Sequence, residues 1–400
     1  MSLIPVAEAL ARVLDGVAPL PAEQIPVGEA HGRVLAKPLA ALRTQPPADI
    51  SAMDGYAVRA ADLAKAAKLK LVGESGAGKP FSGKLKAGEA VRIFTGAVMP
   101  AGADTVVIQE EAKREGDQIA LPATAAEKNV RKRGLDFSEG QVLLAAGRRL
   151  SARDLGLAAA MDHAKVAVAR RPRIAYIATG DELTLPGMSQ DPHRIVASNP
   201  IALAALLRPE GADSIDLGIV PDKLEATIEA IRRARTMNID VLVTLGGASV
   251  GDHDLIAPAL KAEGIALAFH RVALRPGRPL LLGIAGNLRV LGLPGNPVSA
   301  FVCAFLFLVP LLRALQGRGD AIPKPEPAVL GRAMAENDHR QDYLRAKIER
   351  IDGRLVATPC DRQDSSMLAM LVSADGLLLR APHALAAKAG SPCEVLRFGD

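Results

Sequence analysis

The spacing of hydrophobic and polar positions changes several times along this chain. Val6–Leu14 has the spacing of an amphipathic helix, and a second short element is expected within residues 28–39. From about residue 41 to 140, short apolar runs alternate with Gly-, Pro- and Asp-rich turns, which predicts a β-rich module. The strand-like runs are at 70–72, 90–94, 105–108 and 141–144.

From residue 173 the pattern alternates between strands and helices. Mainly apolar runs at 174–178, 214–220, 240–245 and 288–293 alternate with helical spacing at 198–207, 224–234, 254–262 and 298–312. This predicts a central three-layer α/β domain, a mostly parallel sheet covered on both faces. The apolar stretch 298–312 is shorter than the ~20 residues that cross a bilayer and contains Pro310, so we predict a buried helix and no membrane association.

The end of the chain returns to short strands. Residues 323–327 read Pro-Lys-Pro-Glu-Pro, which is typical of a linker, and the remaining residues predict a small C-terminal β domain. The fold class is therefore multidomain α/β and β: the α/β domain lies between a β-rich module in the N-terminal half and the small β domain.

Composition and charge exclude several classes of protein. Aromatic residues are 3% with no Trp, which argues against a stacking platform for single-stranded nucleic acid. A net charge of +5 over 400 residues predicts no polyanion partner, so no nucleic acid is expected. Three scattered cysteines do not suit a disulfide framework, and the N-terminus does not resemble a signal peptide. Together these features predict a cytoplasmic protein.

Four polar loops follow the predicted parallel strands, where ligands of such sheets bind. They contain Thr179-Gly-Asp-Glu-Leu183, Val220-Pro-Asp222, the segment 245–254 and the segment 292–299. Glycines there let the backbone approach a ligand, and Asn296-Pro297 is a helix start whose free N–H groups favour an anion. Plain tight turns are the alternative interpretation. The candidate ligand-binding residues are Gly246, Gly247, Ser249, Gly251, Pro294, Gly295, Asn296, Pro297 and Ser299.

Acidic residues in these loops are candidates for a metal site. In a parallel sheet, Asp181, Glu182, Asp222, Asp252 and Asp254 would share one rim, and oxygen ligands beside phosphates suit Mg²⁺. Some of them are equally explained as helix caps. Zinc is not favoured, because His253 has no second His or Cys at ligand spacing.

Basic residues are segregated from acidic ones. No carboxylate occurs between Glu263 and Asp320, whereas Arg271, Arg275 and Arg278 flank a Pro-Gly turn and suit an oxyanion. A second cluster contains Arg131 and Arg133, and a solvated loop is the alternative for both clusters. The segment Gly73-Glu-Ser-Gly-Ala-Gly-Lys79 matches part of a P-loop, but Pro80 replaces the Ser or Thr that would bind Mg²⁺.

Seven motifs in one order give a more specific signal. They are Ser51-Ala-Met-Asp-Gly-Tyr-Ala57, Thr95-Gly96, Arg131-Lys-Arg-Gly134, Thr179-Gly-Asp-Glu-Leu183, Gly246-Gly-Ala-Ser-Val-Gly251, Arg275-Pro-Gly-Arg-Pro279 and Leu293-Pro-Gly-Asn-Pro-Val-Ser-Ala300. Together, over essentially the whole chain, they resemble the molybdopterin molybdenumtransferase family, which includes MoeA-type proteins and the E domain of gephyrin.

The resemblance implies an enzyme that binds adenylylated molybdopterin and molybdate, inserts molybdenum with Mg²⁺, and releases AMP. It implies a homodimer of four-domain subunits, with the active site between the α/β domain of one subunit and the β-rich module of the other. The expected domains are 1–40 with 141–168 (linking and dimerisation), 41–140, 169–318 and 319–400. The functional positions implied are Asp54, Thr95, Asp136, Glu182, Asp222 and Asp254, with Arg271, Arg275, Arg278 and Ser365; Glu182, Asp222 and Asp254 are the metal candidates.

The chain departs from the family pattern at several positions. Arg271, Arg275 and Arg278 stand where Lys is common, Leu135 where Glu is common and Ile50 where Asn is common. Arg and Lys share a charge but not a geometry, so preference for molybdate over tungstate stays open. The alternatives are a molybdopterin adenylyltransferase, which shares the Gly-Gly-x-Ser-x-Gly loop, and a non-catalytic molybdopterin-binding scaffold. The adenylyltransferase and molybdoenzyme acceptors are also the further partners expected.

Overall fold

The structure, a computed structural model, describes residues 3–63, 68–247 and 255–399. Helix boundaries follow capping and first-turn residues: Ser151 forms a capping box with Asp154, and Pro200 and Pro297 occupy first turns. The α-helices are α1 (Val6–Leu14), α2 (Ala152–Ala160), α3 (Asn199–Leu207), α4 (Leu224–Thr236), α5 (Ile256–Ala262), α6 (Pro297–Cys303), α7 (Val309–Leu315) and α8 (Leu368–Val372).

The strands range from two to 11 residues in length. They are β1 (Ala22–Pro26), β2 (Leu39–Ala40), β3 (Ile50–Ser51), β4 (Gly55–Val58), β5 (Lys68–Ser75), β6 (Glu89–Ile93), β7 (Thr105–Ile108), β8 (Lys113–Glu115), β9 (Gln118–Ala120), β10 (Val130–Arg131), β11 (Val142–Leu144), β12 (Lys165–Ala169), β13 (Arg173–Thr179), β14 (Leu183–Thr184), β15 (Ile195–Val196), β16 (Asp213–Val220), β17 (Val241–Leu245), β18 (Ala266–Phe269), β19 (Leu274–Arg275), β20 (Leu281–Ala285), β21 (Leu288–Leu293), β22 (Glu326–Leu330), β23 (Gln341–Ile351), β24 (Arg354–Pro359), β25 (Gly376–Arg380) and β26 (Pro392–Arg397).

The central sheet has the strand order β16-β13-β17-β21-β20-β18. The first four strands are parallel, as predicted, whereas β20 and β18 form an antiparallel edge that was not predicted. Side chains of β17 alternate between two cores: Val241 and Val243 pack with α1, α3 and α6, and Leu242 packs with α4 and α5. This alternation buries both faces of the strand and explains its continuous apolar run.

The β-rich module and the segments around it form separate sheets. The module has the order β7-β4-β6-β5-β9-β8. On either side of it in sequence, β1 pairs with β12 and β2 with β11, and residues from both segments share one core, including Leu35, Leu39, Leu144 and Val168. The run at 141–144 therefore pairs outside the module.

Helix α1 lies apart from that N-terminal core. Val6, Ala9 and Val13 belong to the core of the α/β domain, and the backbone N–H of Ile4 donates to the carbonyl of Arg271 at 3.3 Å. The predicted domain boundaries stay predictions, but the first helix packs with the α/β domain rather than with the rest of residues 1–40.

The C-terminal strands close into a barrel in the order β23-β24-β22-β26-β25, with β25 pairing back to β23. Strand β19 of the α/β domain extends this sheet by pairing in parallel with β23. Phe398 also packs edge-on against Phe301 and Phe305, with ring centroids 5.4 and 5.5 Å apart. The barrel is thus fastened to the α/β domain both by this strand pairing and by these aromatic contacts.

One continuous helical stretch is long and apolar. Pro297–Leu315 has 19 residues and a mean hydropathy of 2.3, but 83% of it is buried within the protein. A π-helical turn, Ala304–Leu308, links α6 to α7 immediately before Pro310. Because proline removes one N–H and crowds the preceding turn, this wider turn lets the helix continue past it. The stretch is a core helix of the α/β domain.

Candidate functional site

A cleft of about 770 Å³ opens at the carboxyl ends of β13, β17 and β21. Open α/β sheets bind ligands at this edge, and the volume is within the range of small-molecule sites. The cleft brings together residues from all four predicted loops and from β15. The sequence-predicted residues that line it are Glu182, Asp222, Gly246, Gly247, Pro294, Gly295, Asn296 and Pro297.

The floor of the cleft is lined by several glycines. Gly246 has a φ of +95°, and a Cβ there would lie 2.9 Å from the carbonyl oxygen of Thr179. Only glycine fits this position without displacing the end of β13. The hydroxyl of Thr179 is buried beside Gly246 and Gly247 and has no hydrogen-bond partner among the described residues. The end of β13 and the turn after β17 are therefore packed closely together at the floor of the cleft.

The carboxylates of Glu182 and Asp222 stand at one end of the cleft. Asp222 and the neighbouring Asp181 cap each other, because each carboxylate accepts from the other's backbone N–H, at 3.1 and 3.3 Å. One oxygen of Asp222, Oδ1, makes no hydrogen bond within the described part of the chain. The carboxylate of Glu182 lies over Gly180, where a Cβ would be 2.5 Å from Oε2. Glu182 and Asp222 both line the cleft and can accept protons or bind a cation.

The opposite end of the cleft joins the α/β domain to the C-terminal barrel. Asn296 donates through Nδ2 to the hydroxyl of Ser365 at 2.9 Å, and the N–H of Val298 donates to the Ser365 carbonyl at 3.1 Å. The Val298 amide is therefore not free for an anion, contrary to the expectation for this helix start. Ser299 is buried one residue further.

The three arginines near β19 do not point to one site. None of them lines the cleft. Arg275 donates to Asp342, Asp338 and Asn337 of the C-terminal part of the chain. Arg271 and Arg278 make no side-chain hydrogen bond or ion pair with the residues that the structure describes. Their guanidinium groups are available for an anion, whereas that of Arg275 is occupied.

The residues of the β-rich module lie outside the cleft of their own chain. Asp54 accepts from the backbone N–H and the hydroxyl of Thr95, both at 2.7 Å. The backbone bond first, and then the hydroxyl bond, hold the pKa of Asp54 below its ordinary value. Arg131 at the end of β10 and Arg133 and Asp136 on the loop after it are exposed. A single chain does not bring these side chains to Glu182 or Asp222.

Three family models together cover most of the chain. Residues 4–161 match the MoeA N-terminal region (domain I and II), residues 175–314 a probable molybdopterin binding domain, and residues 327–398 the MoeA C-terminal region (domain IV). The chain is also 31% identical to a molybdopterin molybdenumtransferase of Bacillus subtilis over 403 aligned residues, 98% of this chain and 94% of the relative. The chain belongs to the molybdopterin molybdenumtransferase family.

Other members of the molybdopterin molybdenumtransferase family agree in sequence and in fold. A Nostoc relative with that name is 36% identical over 341 residues, 83% of this chain and 78% of the relative. A molybdopterin biosynthesis protein from Pyrococcus horikoshii, known from its crystal structure, superposes with a TM-score of 0.87 at 30% identity and covers 100% of both chains. The chain is therefore an enzyme of this family with the family's multidomain fold.

Two polar residues, one in the cleft and one buried behind the loop 362–366, were not predicted from the sequence. Asn199 lines the cleft and donates through Nδ2 to the Gly295 carbonyl at 2.7 Å, although its position suggested only a helix start. Arg345 is 0% exposed on β23; it donates to the carbonyls of Arg362 and Asp364, and its Nε and Nη1 have no partner among the described residues. The available signal was a lone charge in the apolar run 343–346.

Part of the glycine-rich loop lies outside the described residues. The predicted positions there are Ser249, Gly251, Asp252, His253 and Asp254. Within the described residues, no group of three or more His, Cys, Asp or Glu side chains is arranged to hold a metal ion by itself. Glu182 and Asp222 remain as the carboxylates that a cation bound to a substrate phosphate would meet.

Proposed function

We propose that this chain inserts molybdenum from molybdate into adenylylated molybdopterin and releases AMP. The cleft carries this proposal, because glycine backbone, two carboxylates and the Ser365 loop surround one volume in a chain with near full-length molybdopterin molybdenumtransferase relatives. A glycine-lined cleft suits a flat, phosphate-bearing ligand, since no side chain keeps the ligand away from the backbone. The reaction breaks the bond between the adenylate phosphorus and the oxygen of the molybdopterin phosphate.

Glu182 and Asp222 are proposed to act at that phosphorus. Each has at least one carboxylate oxygen with no bond to the described residues, so each can orient the water whose oxygen replaces the leaving phosphate. Mg²⁺ commonly takes one or two carboxylates together with substrate phosphates, and this donor pair fits it. Bound there, the ion would neutralise the charge that develops on the phosphate oxygens. Asp254 is the third proposed ligand.

The oxyanion is proposed to bind beside the cleft, next to the turn that ends at Pro279 on the cleft wall. The guanidinium groups of Arg271 and Arg278 near that turn have no partner among the described residues, and Arg345 has two buried N–H groups without described partners beneath the loop that carries Ser365. Unsatisfied buried donors are costly unless an anion or water meets them. Guanidinium groups bind tetrahedral oxyanions through paired hydrogen bonds. Molybdate is the proposed substrate, and tungstate has the same donor requirements.

A homodimer is proposed because one chain does not complete the site. Asp54 and Thr95 lie outside their own cleft, beside the exposed apolar side chains Met53 and Val98. The mouth of the cleft likewise exposes apolar side chains, among them Ile195 and Val196. Exposed apolar clusters of this kind support a protein interface. A second copy would bring its Asp54 to this mouth, with Arg131, Arg133 and Asp136 nearby.

The proposed location follows from the cysteines, and the proposed partners follow from the reaction. A cytoplasmic protein is proposed, because Cys303, Cys360 and Cys393 are all free. Its proposed partners are the adenylyltransferase that supplies the nucleotide intermediate and the molybdoenzymes that accept the product.

The direct test is AMP release from adenylylated molybdopterin, with molybdate and Mg²⁺, by the purified protein. We expect AMP and molybdenum-loaded cofactor in equal amounts. ATP consumption with molybdopterin alone would instead identify an adenylyltransferase, and tight binding without AMP release would identify a scaffold. Replacing molybdate by tungstate in the same assay measures the selectivity between the two oxyanions.

A further inference from the structure

Arg275 uses its whole guanidinium group on acceptors of the C-terminal part of the chain. Its Nε donates to Asp342 Oδ1 at 2.8 Å, and its Nη2 donates both to Asp342 Oδ2 and to Asn337 Oδ1, the latter at 2.9 Å. Its Nη1 faces Asp338 at 3.4 Å. Each of the three nitrogens therefore already has a protein acceptor. The two-pronged contact with Asp342 matches the geometry that only arginine offers to a carboxylate.

The burial of Asp342 makes this contact important for stability. The Asp342 side chain is only 4% exposed, whereas that of Arg275 is 42% exposed. A buried carboxylate that loses its cation is left uncompensated, which is among the costlier defects in a protein. The backbone reinforces the contact: β19 pairs in parallel with β23 so that Arg275 lies opposite Asp342. The pair therefore closes the junction between the α/β domain and the barrel.

The same strand leads from this junction to the cleft. Three residues beyond Asp342 on β23, Arg345 donates to the carbonyls of Arg362 and Asp364 and so holds the loop that follows β24. The next residue of that loop, Ser365, bonds Asn296 and the amide of Val298 at the edge of the cleft. The position of β23 therefore sets the position of Ser365.

We propose that Arg275 is a positioning residue that locks Asp342, fixes β23 and so holds the loop 362–366 against the cleft. It is not itself a ligand of the oxyanion, unlike Arg271 and Arg278, whose guanidinium groups have no partners among the described residues. The change in turnover that this inference predicts rests on the proposed function. The change in hydrogen exchange of the loop 362–366 rests on the structure alone.

The test is a double-variant cycle of Arg275→Ala and Asp342→Asn. If the two residues act as one unit, the double variant is no worse than either single variant. We expect hydrogen exchange at the amides of 362–366 to become faster by on the order of tenfold in all three proteins. Turnover should also fall by on the order of tenfold, while KM for adenylylated molybdopterin changes little because the glycine floor is intact.

The matched control is Arg350→Lys, at an exposed position further along β23 where the side chain donates only to the Gly353 carbonyl. It should leave exchange at 362–366 unchanged. Arg275→Lys keeps the charge but loses the fork, so exchange should rise in it as in Arg275→Ala.

The outcomes distinguish a positioning role of Arg275 from a role as a ligand of the oxyanion. A raised KM for molybdate in Arg275→Ala, with unchanged exchange and a normal Asp342→Asn protein, would overturn the inference. So would additive effects in the double variant. If the unmodified protein shows no turnover, the proposed function fails, while the exchange measurements still decide whether Arg275 holds the loop.

Discussion

At the scale of single residues, Glu182 is the best candidate for a catalytic group. Its carboxylate lines the cleft over Gly180 and makes no hydrogen bond or ion pair with the residues that the structure describes. We predict that Glu182→Gln lowers kcat for AMP release by on the order of a hundredfold, the usual contribution of one general base or water-orienting group. Glu225→Gln, in the first turn of α4 away from the cleft, should retain full activity. Equal rates for the two variants would remove Glu182 from the mechanism.

Asp54 has a second, separately measurable property. Its pKa is lowered by the backbone N–H of Thr95 and then by the Thr95 hydroxyl, so the carboxylate stays ionised to lower pH than usual. Thr95→Val removes the hydroxyl bond and keeps the backbone bond. We predict that the Asp54 pKa rises part of the way toward its ordinary value of 3.8, measured by carbon-detected NMR titration. Any loss of activity caused by Asp54 protonation then begins at higher pH. An unchanged titration, equal to that of a Thr124→Val control, would contradict this.

The sequence predicted which residues belong to the cleft better than it predicted which side chains bind one another. The polar loops after the strands do supply Glu182, Asp222 and Asn296 to one cleft. Arg275 was grouped with Arg271 and Arg278, because nothing in the local sequence shows that an acceptor 67 residues away, Asp342, binds it. Pairing between distant charges depends on how domains pack, and spacing within one segment does not encode that.

At the scale of secondary structure, long periodic segments were predictable and short edge strands were not. α1 spans Val6–Leu14 as predicted, and β21 spans Leu288–Leu293 as predicted. β20 was missed and β18 was expected only as a short strand before Arg271, because four- or five-residue runs beside a Pro-Gly turn are too short for periodicity to define their place in a sheet. The helical stretch Pro297–Leu315 continues past Pro310 because packing on all sides and a π-helical turn outweigh the local cost of proline.

Two glycines allow a controlled test of helix energetics. Gly156 lies within α2, its backbone is helical, and a methyl group added at its Cα would meet no atom within 4 Å. We predict that Gly156→Ala stabilises α2 by roughly 0.5–1 kcal/mol, because glycine loses more conformational entropy than alanine. Slower hydrogen exchange of the α2 amides measures the gain.

Gly264 is the matched control for that substitution. It follows α5, also has open space around its Cα, and has a φ of +70°. The added methyl group is identical, so only the backbone angle differs. Gly264→Ala should destabilise the end of α5 by roughly 1 kcal/mol, since L-residues disfavour the left-handed region. We expect the two substitutions to change the stability of their helices in opposite directions. Changes in the same direction would show that chain entropy and backbone strain do not determine the effect.

At the scale of the whole molecule, the residues of the candidate site are divided between different parts of the chain. The cleft is built from the α/β domain and the Ser365 loop, while Asp54 and Thr95 stand on the β-rich module outside it. No pattern within one segment could show this separation, because it depends on how the module is carried by the β1–β12 and β2–β11 pairings. The resemblance to the family supplied the expectation of a second subunit.

A shared site between two subunits makes a specific kinetic prediction. Glu182→Ala damages the cleft, and Asp54→Asn damages the group proposed to reach into the partner's cleft, so each homodimer should be inactive. In a mixed dimer one cleft contains both defects and the other contains neither. Random exchange of subunits therefore should restore about a quarter of the unmodified activity, since half of the dimers are mixed and each has one intact site. The measurement is AMP release after the two variants are unfolded and refolded together, with each variant refolded alone as the control. If the mixture stays inactive although mass measurement shows mixed dimers, Asp54 acts on its own chain or not at all.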